Sequence, residues 1–248
     1  MLFYESMKVN SSAIFLLLTT VLVTPMSASS GDLQLLPFRA GYSVKHAGIK
    51  IAESRFTLSK NDDGRYLFES ISKSKGLAFL LKTKIVESST LTVTDKTIKP
   101  LSYSYHLGRW GKHRSYKTGF DWDNNRVNID QDGQLSSLDV PDNTLDRFSL
   151  QLIIMHELAK GKDRFEYVVL HKAKLSTFEF VKSGTEKITT RAGTFETVVV
   201  KGQKIDSNSI RTMTFWCAPS LHYLPVKIIQ LKNNKPLHAM SLKYVEGL

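Results

Sequence analysis

One cysteine, Cys217, in 248 residues rules out an intramolecular disulfide, so the fold must be held by its core. Long apolar runs are equally scarce. The longest covers residues 14–23, about half of what a helix needs to cross a bilayer core, so an integral membrane protein is not expected. The histidines, His46, His106, His113, His156, His171, His222 and His238, contain no HExxH and no other helical pairing, which leaves a zinc site without support. No stretch rich in Pro, Gly or Ser divides the chain. Its 42% apolar and 10% aromatic content is that of a globular protein.

What the short apolar run does match is the h-region of a secretory signal peptide. Small residues follow it at once: Ser27, Ala28, Ser29 and Ser30, after Pro25. Residues 1–30 are therefore expected to be a leader, with cleavage after Ser29 or Ser30, the mature chain beginning between Ser29 and Asp32, and a single mature domain over residues 31–248. Met7 followed by Lys8 makes a better n-region than the residues before it, so Met7 is the expected initiator. No cysteine lies near the cut, so a lipoprotein anchor is not expected. The resulting location is the periplasm.

Acidic residues are missing where basic ones gather. The net charge is +11, and residues 96–120 hold Lys96, Lys99, Arg109, Lys112, Arg114 and Lys117 without one Asp or Glu. Residues 207–245 repeat the pattern, whereas residues 121–146 are rich in Asp. A basic field attracts anions over distance, and the anions met by an exported protein are lipid headgroups and envelope glycans. Nucleic acid is not an expected partner in that compartment. A solvated basic surface kept for solubility accounts for the same charges.

Turn signals recur through the mature region: Asn61-Asp62-Asp63-Gly64, Asp95-Lys96, Asn124-Asn125, Asp132-Gly133, Ser183-Gly184, Ala192-Gly193, Ser207-Asn208 and Asn233-Asn234. Between them apolar residues alternate. Leu101, Tyr103, Tyr105 and Leu107 fall on one side of a strand, with Ser102, Ser104 and His106 on the other. Met213, Phe215 and Cys217 likewise alternate with Thr212, Thr214 and Trp216. Strands joined by tight turns are antiparallel neighbours, which predicts an all-β, mainly antiparallel domain: a curved sheet or open barrel or clam. Residues 144–160 interrupt the alternation. Asn143 as N-cap, Asp146 three residues on, and Lys160-Gly161 at the end predict a helix there. Phe148, Leu150, Leu152, Ile153, Ile154 and Met155 cover nearly its whole circumference, so it is expected to be buried. The run Gly76-Leu77-Ala78-Phe79-Leu80-Leu81, between Lys75 and Lys82, fits either a short buried element or an apolar rim at an opening.

Few residues point to chemistry. Cys217 and His222 are five apart and could make a thiolate nucleophile, but no third orienting residue is identifiable and a buried structural Cys is the stronger reading. Asp121, Asp123, Asn125 and Asp132 have partial calcium-loop spacing. Arg126 stands where that loop needs Gly and no Glu closes it, so a hairpin turn explains them better and no metal is expected. Asp146 and Ser149 suit helix capping better than catalysis. The region with most positive content is Tyr103, Tyr105, His106, Arg109, Trp110, Lys112, His113, Arg114, Tyr116 and Lys117. Rings can hold the apolar part of an amphiphile while guanidinium groups hold its anionic head. Tyr103, Tyr105, Arg109, Trp110, Lys112 and Arg114, with Trp216, are the candidate binding residues. Cross-strand pairs on an exposed sheet face would produce the same list.

Several blocks together resemble the bacterial domain of unknown function 3108 family, exported proteins of the cell envelope. They are Gly48-Ile49 after a strand with Tyr42, Pro100 before a Tyr-rich strand, Thr144, Asp146 and Ser149, and Glu186 followed by Thr190 and Gly193. Phe215-Trp216, Pro219 and Tyr223-Leu224-Pro225-Val226-Lys227 complete the set, the last block being the most specific. Ala52 and Ser220 depart from the family pattern, which has a second glycine and an acidic residue there. The resemblance spans residues 37–245 and implies an all-β periplasmic domain, lipocalin-like or similar to lipoprotein carriers whose open barrel holds acyl chains. It implies no established activity and no cofactor. The expectation is a non-enzymatic envelope binding or carrier protein for an amphiphilic, lipidic or anionic ligand. An envelope hydrolase or transferase using Cys217, His222 or Asp146, and a structural partner displaying its basic face, are the alternatives.

Overall fold

The computed structural model describes residues 35–94, 96–205, 211–233 and 235–248. The leader, Asp95, Ser207-Asn208 and Asn234 lie outside the described residues. Fifteen strands form one sheet. In the first half these are β1 (Phe38–His46), β2 (Ile49–Lys60), β3 (Tyr66–Ser74), β4 (Lys84–Val93), β5 (Ile98–Arg109), β6 (Lys112–Asp121), β7 (Arg126–Gln131) and β8 (Gln134–Asp139). The second half has β9 (Thr144–Asp146), helix α1 (Leu150–Ala159), β10 (Arg164–His171), β11 (Lys174–Thr190), β12 (Gly193–Lys204), β13 (Arg211–Ala218), β14 (Leu224–Lys232) and β15 (Lys235–Glu246). The order runs from β8 back to β1 and then from β15 back to β9. Every neighbouring pair is antiparallel except β9 with β10, which α1 connects.

Alternation decides the inside. Tyr42, Phe56, Phe68, Leu91, Tyr103, Phe180, Phe215 and Leu242 point into the concave face and are buried, while their sequence neighbours face out. The sheet curls until β9 lies against β5, and Ser89 of β4 donates to Asp146 Oδ2 at 2.7 Å. β8 and β9 do not pair, so the barrel stays open.

Helix α1 fills one half of the interior. Leu150 through Leu158 are all buried: apolar residues lie on every side of the helix, and Gln151, His156 and Glu157 are buried with them. Its start differs from the sequence expectation. Asn143 is not its cap; Thr144–Asp146 pair with Val168–Leu170 as a parallel strand, and the helix begins after Ser149. Asp146 accepts the backbone N–H groups of Phe148 and Ser149 at 2.7 and 2.8 Å, so its carboxylate turns the chain from strand into helix. The end is as expected: Gly161, at φ +74°, donates to Leu158 O. Ser183-Gly184 also departs from expectation. It is a bulge inside β11, between Lys182 and Thr185, that bends the long strand so it reaches β14 and β15.

The two ends of the barrel differ. At the closed end, which carries the β2–β3, β4–β5 and β6–β7 turns, Phe148 stacks on Phe68 (4.4 Å) and Phe56 (5.9 Å), and Trp122 stacks on Phe120 and donates to Pro100 O. The opposite, open end carries the β1–β2, β3–β4, β5–β6 and β7–β8 connections.

Candidate functional site

Toward the open end the inward face changes character. Below it, Tyr42, Phe56, Phe68 and Phe215 are buried; one or two residues further along the same faces, Val44, Ile85, Leu107, Ile228 and Met240 are only half-buried. Register keeps them on one face: Ile85 stands opposite Leu107, and Met240 opposite both Val44 and Ile228. Their common orientation forms an apolar mouth above the start of α1.

The floor of this mouth is polar and internally paired. Tyr103 donates to Glu87 Oε1 at 2.7 Å, and Arg147 Nη2 lies 3.0 Å from the same oxygen with its side chain 41% exposed. The Arg147 guanidinium sits 5.7 Å from the centre of the Tyr105 ring. Burial, and then the Glu87 carboxylate, raise the Tyr103 pKa; burial also raises that of Tyr105, against the opposing charge of Arg147. Both phenols therefore act as neutral hydrogen-bonding groups. Asp146, wholly buried, is pushed up by burial while Ser89 and the backbone N–H groups pull it back.

The rim is polar and unpaired. Arg114 stands opposite Leu107 on the face that carries Tyr116, and Arg109 opposite Lys112. Arg109, Lys112 and Arg114 are exposed and make no ion pair among the described residues. Trp110, at the tip of the β5–β6 hairpin, is 84% exposed.

The structure thus gathers Tyr103, Tyr105, Arg109, Trp110, Lys112 and Arg114 into one region, with the two tyrosines inside and the others at its edge. It does not bring Trp216 there. Trp216 lies on the outward face of β13, buried, its indole N–H donating to Glu186 Oε2 at 2.6 Å and Lys227 Nζ standing 4.3 Å from its ring. It anchors the bent part of β11. Glu87 and Arg147 are the site residues that sequence reading missed. They are far apart in sequence, and only the register of β4 and the path of β9 bring them together.

The other constellations do not assemble. Cys217 is buried on the inner face, where burial raises its thiol pKa, while His222 is exposed at a left-handed position after Pro219–Leu221. Asp121 accepts the backbone and side-chain N–H of Asn124, and Asp132, at the far end of β7, accepts the Ser115 N–H. Three surface grooves, of about 640, 460 and 330 Å³, lie on the outer side of the sheet. The largest is lined by Lys117, Gly119, Asp130, Leu135 and Ser137, among others.

Comparison with known proteins places this geometry. Residues 41–234 match the family described as protein of unknown function, DUF3108. The fold is similar to a β-barrel-like protein of domain of unknown function DUF1849 from Brucella abortus, with TM-score 0.56 and 8% identity, over 86% of this chain and 98% of that one. Fainter likenesses are to the MucA/MucB complex structure of Pseudomonas aeruginosa (TM-score 0.37, 8% identity, 86% of this chain and 52% of that one) and to a protein described as exported, with a YmcC-like fold, from Bacteroides fragilis (TM-score 0.32, 12% identity, 86% and 97%). At those scores they bear on neither fold nor function. No curated protein matches the chain in sequence. Among the described residues, no helix is long and apolar enough to cross a membrane.

Proposed function

The chain belongs to the DUF3108 family of proteins of unknown function, and from that premise we propose that it is an exported, non-enzymatic envelope protein that binds an anionic amphiphile in its open mouth. Export rests on the leader read in residues 1–30. Binding rests on one observation above the rest: Val44, Ile85, Leu107, Ile228 and Met240 face inward yet stay half-exposed, and Leu107 stands opposite Arg114, which has no ion-pair partner among the described residues. An inward apolar face left accessible to water is costly unless something covers it.

The charges set the ligand's orientation. At the floor Arg147 is neutralised by Glu87, so that level suits an apolar or neutral polar group. At the rim Arg109, Lys112 and Arg114 have no carboxylate partner among the described residues, so the anionic head belongs there, with its apolar tail descending past Leu107 and Ile85. Tyr105 offers a ring at the boundary between the two levels.

Titration with a fluorescent long-chain fatty acid tests the reading. Leu107→Gln with Ile228→Gln should weaken binding at every salt concentration. Arg114→Gln should weaken it at low salt and less at high salt, because exposed charges are screened within about 8 Å at physiological ionic strength. Unchanged binding in both variants would remove the mouth as the site.

A further inference from the structure

Three strongly exposed apolar side chains stand near one another at the open end. Residues 76–81 make a short 3-10 helix between β3 and β4, and on it Phe79 is 61% and Leu80 81% exposed. Beside it stands Trp110, with Lys82 Nζ 5.8 Å from its ring centre, so the 3-10 segment and the β5–β6 tip are neighbours. Ile49, more than half exposed at the β1–β2 turn, adds a further apolar side chain at the same end.

The 3-10 segment is held in shape. Lys75 donates to Ile51 O at 2.8 Å and Ser74 to Thr83 O at 3.0 Å, which tie both feet of the segment to the sheet. Gly76 has φ +61°, and a Cβ there would lie 3.1 Å from the Lys50 carbonyl oxygen, so glycine allows the close approach to β2. Lys82 closes the segment in a left-handed conformation, its N–H on Phe79 O. So fastened, the segment keeps Phe79 and Leu80 exposed.

Cations surround them. Lys75, Lys84, Arg109 and Lys112 are exposed and without an ion-pair partner among the described residues. The neighbouring acids are already engaged: Glu53 with Lys50 and Lys243, and Asp132 with the Ser115 N–H. Apolar tips inside a ring of free cations match an anionic bilayer: the tips enter the headgroup region, and the lysines meet the negative surface. Trp and Lys also suit that depth, since an amphipathic ring and a long stem with a charged end both bridge apolar and wet layers. A second copy of the chain fits worse, because a two-fold contact through Leu80 would set the same lysines against one another.

We infer that the open end is a membrane-docking surface, with Phe79, Leu80 and Trp110 as the inserted residues and Lys75, Lys84, Arg109 and Lys112 as contacts to anionic phospholipid. It extends the amphiphile reading, since both place their ligand at the same end of the barrel, and each can fail alone.

Vesicle flotation tests it. The purified protein should float with phosphatidylcholine vesicles containing phosphatidylglycerol, and not with pure phosphatidylcholine, at low salt. Phe79→Gln with Leu80→Gln should weaken partitioning by at least about tenfold, from the loss of two inserted side chains. Lys75→Gln, Lys84→Gln and Lys112→Gln together should weaken it on the order of a hundredfold, at roughly fivefold per lysine near an anionic surface. The tryptophan emission should shift to the blue on binding, and Trp110→Phe should remove that shift, because Trp216 is buried and Trp122 is half-buried. All these positions are exposed, so melting temperatures should hold and separate lost docking from lost fold. Equal binding to neutral vesicles, no binding to anionic ones, or a dimer that dissociates in the Leu80 variant would overturn the inference. Leu107→Gln with Ile228→Gln should keep flotation intact. If that variant also keeps fatty-acid binding, the mouth reading falls and docking stands; if wild-type protein binds the fatty acid but ignores vesicles, docking falls and the mouth stands.

Discussion

The closed and open ends are built from the same strands, and they differ in whether their charges and apolar groups find partners. At the closed end the acids meet bases: Asp139 with Arg126, Asp163 with Lys182, Asp142 with Lys99, and Glu157 with Lys162. Its aromatic rings stack on one another, and α1 fills what would otherwise be a hollow. At the open end Phe79, Leu80 and Trp110 are exposed, and Lys75, Lys84, Arg109 and Lys112 make no ion pair among the described residues. One end has satisfied its groups within the chain, and the other keeps them available. The first is where substitutions should cost stability, and the second is where the proposed ligand and membrane contacts would be lost.

The largest effect should come from breaking the closed end. Phe68→Ala removes a fully buried ring that contacts Phe38, Phe56 and Phe148, and chemical denaturation should show a loss of about 3–5 kcal/mol. Fatty-acid affinity measured below the new melting temperature should be unchanged. A matching loss of affinity would mean that the two ends are not separable.

Cys217→Ser comes next. A hydroxyl in place of the buried thiol would be poorly satisfied, so a loss of about 1–3 kcal/mol is expected. Its cellular function should persist at permissive temperature. A stable variant without function would instead bring back the hydrolase reading that its separation from His222 speaks against.

A smaller, pH-dependent effect belongs to Glu53, between the ends. Hydrogen bonds from Lys243 and then Lys50 lower its pKa from 4.5 to about 2. Because the folded value lies below the unfolded one, its contribution is present above the unfolded pKa and is lost as pH falls through about 2. Melting temperatures of wild type and Glu53→Gln should therefore converge as pH is lowered from 5 toward 2. A constant gap over that range would mean that the carboxylate's charge is not what matters.

The smallest change in stability should come from the open end. Arg109→Gln, Lys112→Gln and Arg114→Gln together should alter stability by less than about 0.5 kcal/mol, since exposed charges contribute little. A large loss in this variant would show that the rim belongs to the folded core's network after all.

How far these features could be read from sequence follows from the distance over which each is encoded. Alternation over a few residues separated Tyr103 and Tyr105 from Ser102 and Ser104, and the all-round apolar run from Leu150 to Met155 marked a buried helix. Both signals are local. Asp146 was readable as a turn-forming carboxylate, but its place at the end of β9 was not, because a three-residue parallel strand is specified by Val168–Leu170 and carries no period of its own. Ser183-Gly184 looks like a turn, and only the register of β12 makes it a bulge. Trp216 alternates with Phe215 and Cys217, which puts it on the opposite face from the core, where Glu186 and Lys227 take up its ring. The run from Gly76 to Leu81 fits either a core element or a rim by sequence, and the exposure of Phe79 and Leu80 places those two side chains outside the core. Glu87 and Arg147 had no sequence signal, because what joins them is the curl of the whole sheet.

Native mass spectrometry of the protein, purified without detergent from the envelope of producing cells, tests the open mouth most directly. The expected spectrum contains a retained anionic amphiphile in the wild type, lost in Leu107→Gln with Ile228→Gln and kept in Phe68→Ala. A wild-type protein that is folded and carries no amphiphile, or a ligand retained equally by the Leu107 and Ile228 double variant, would contradict it.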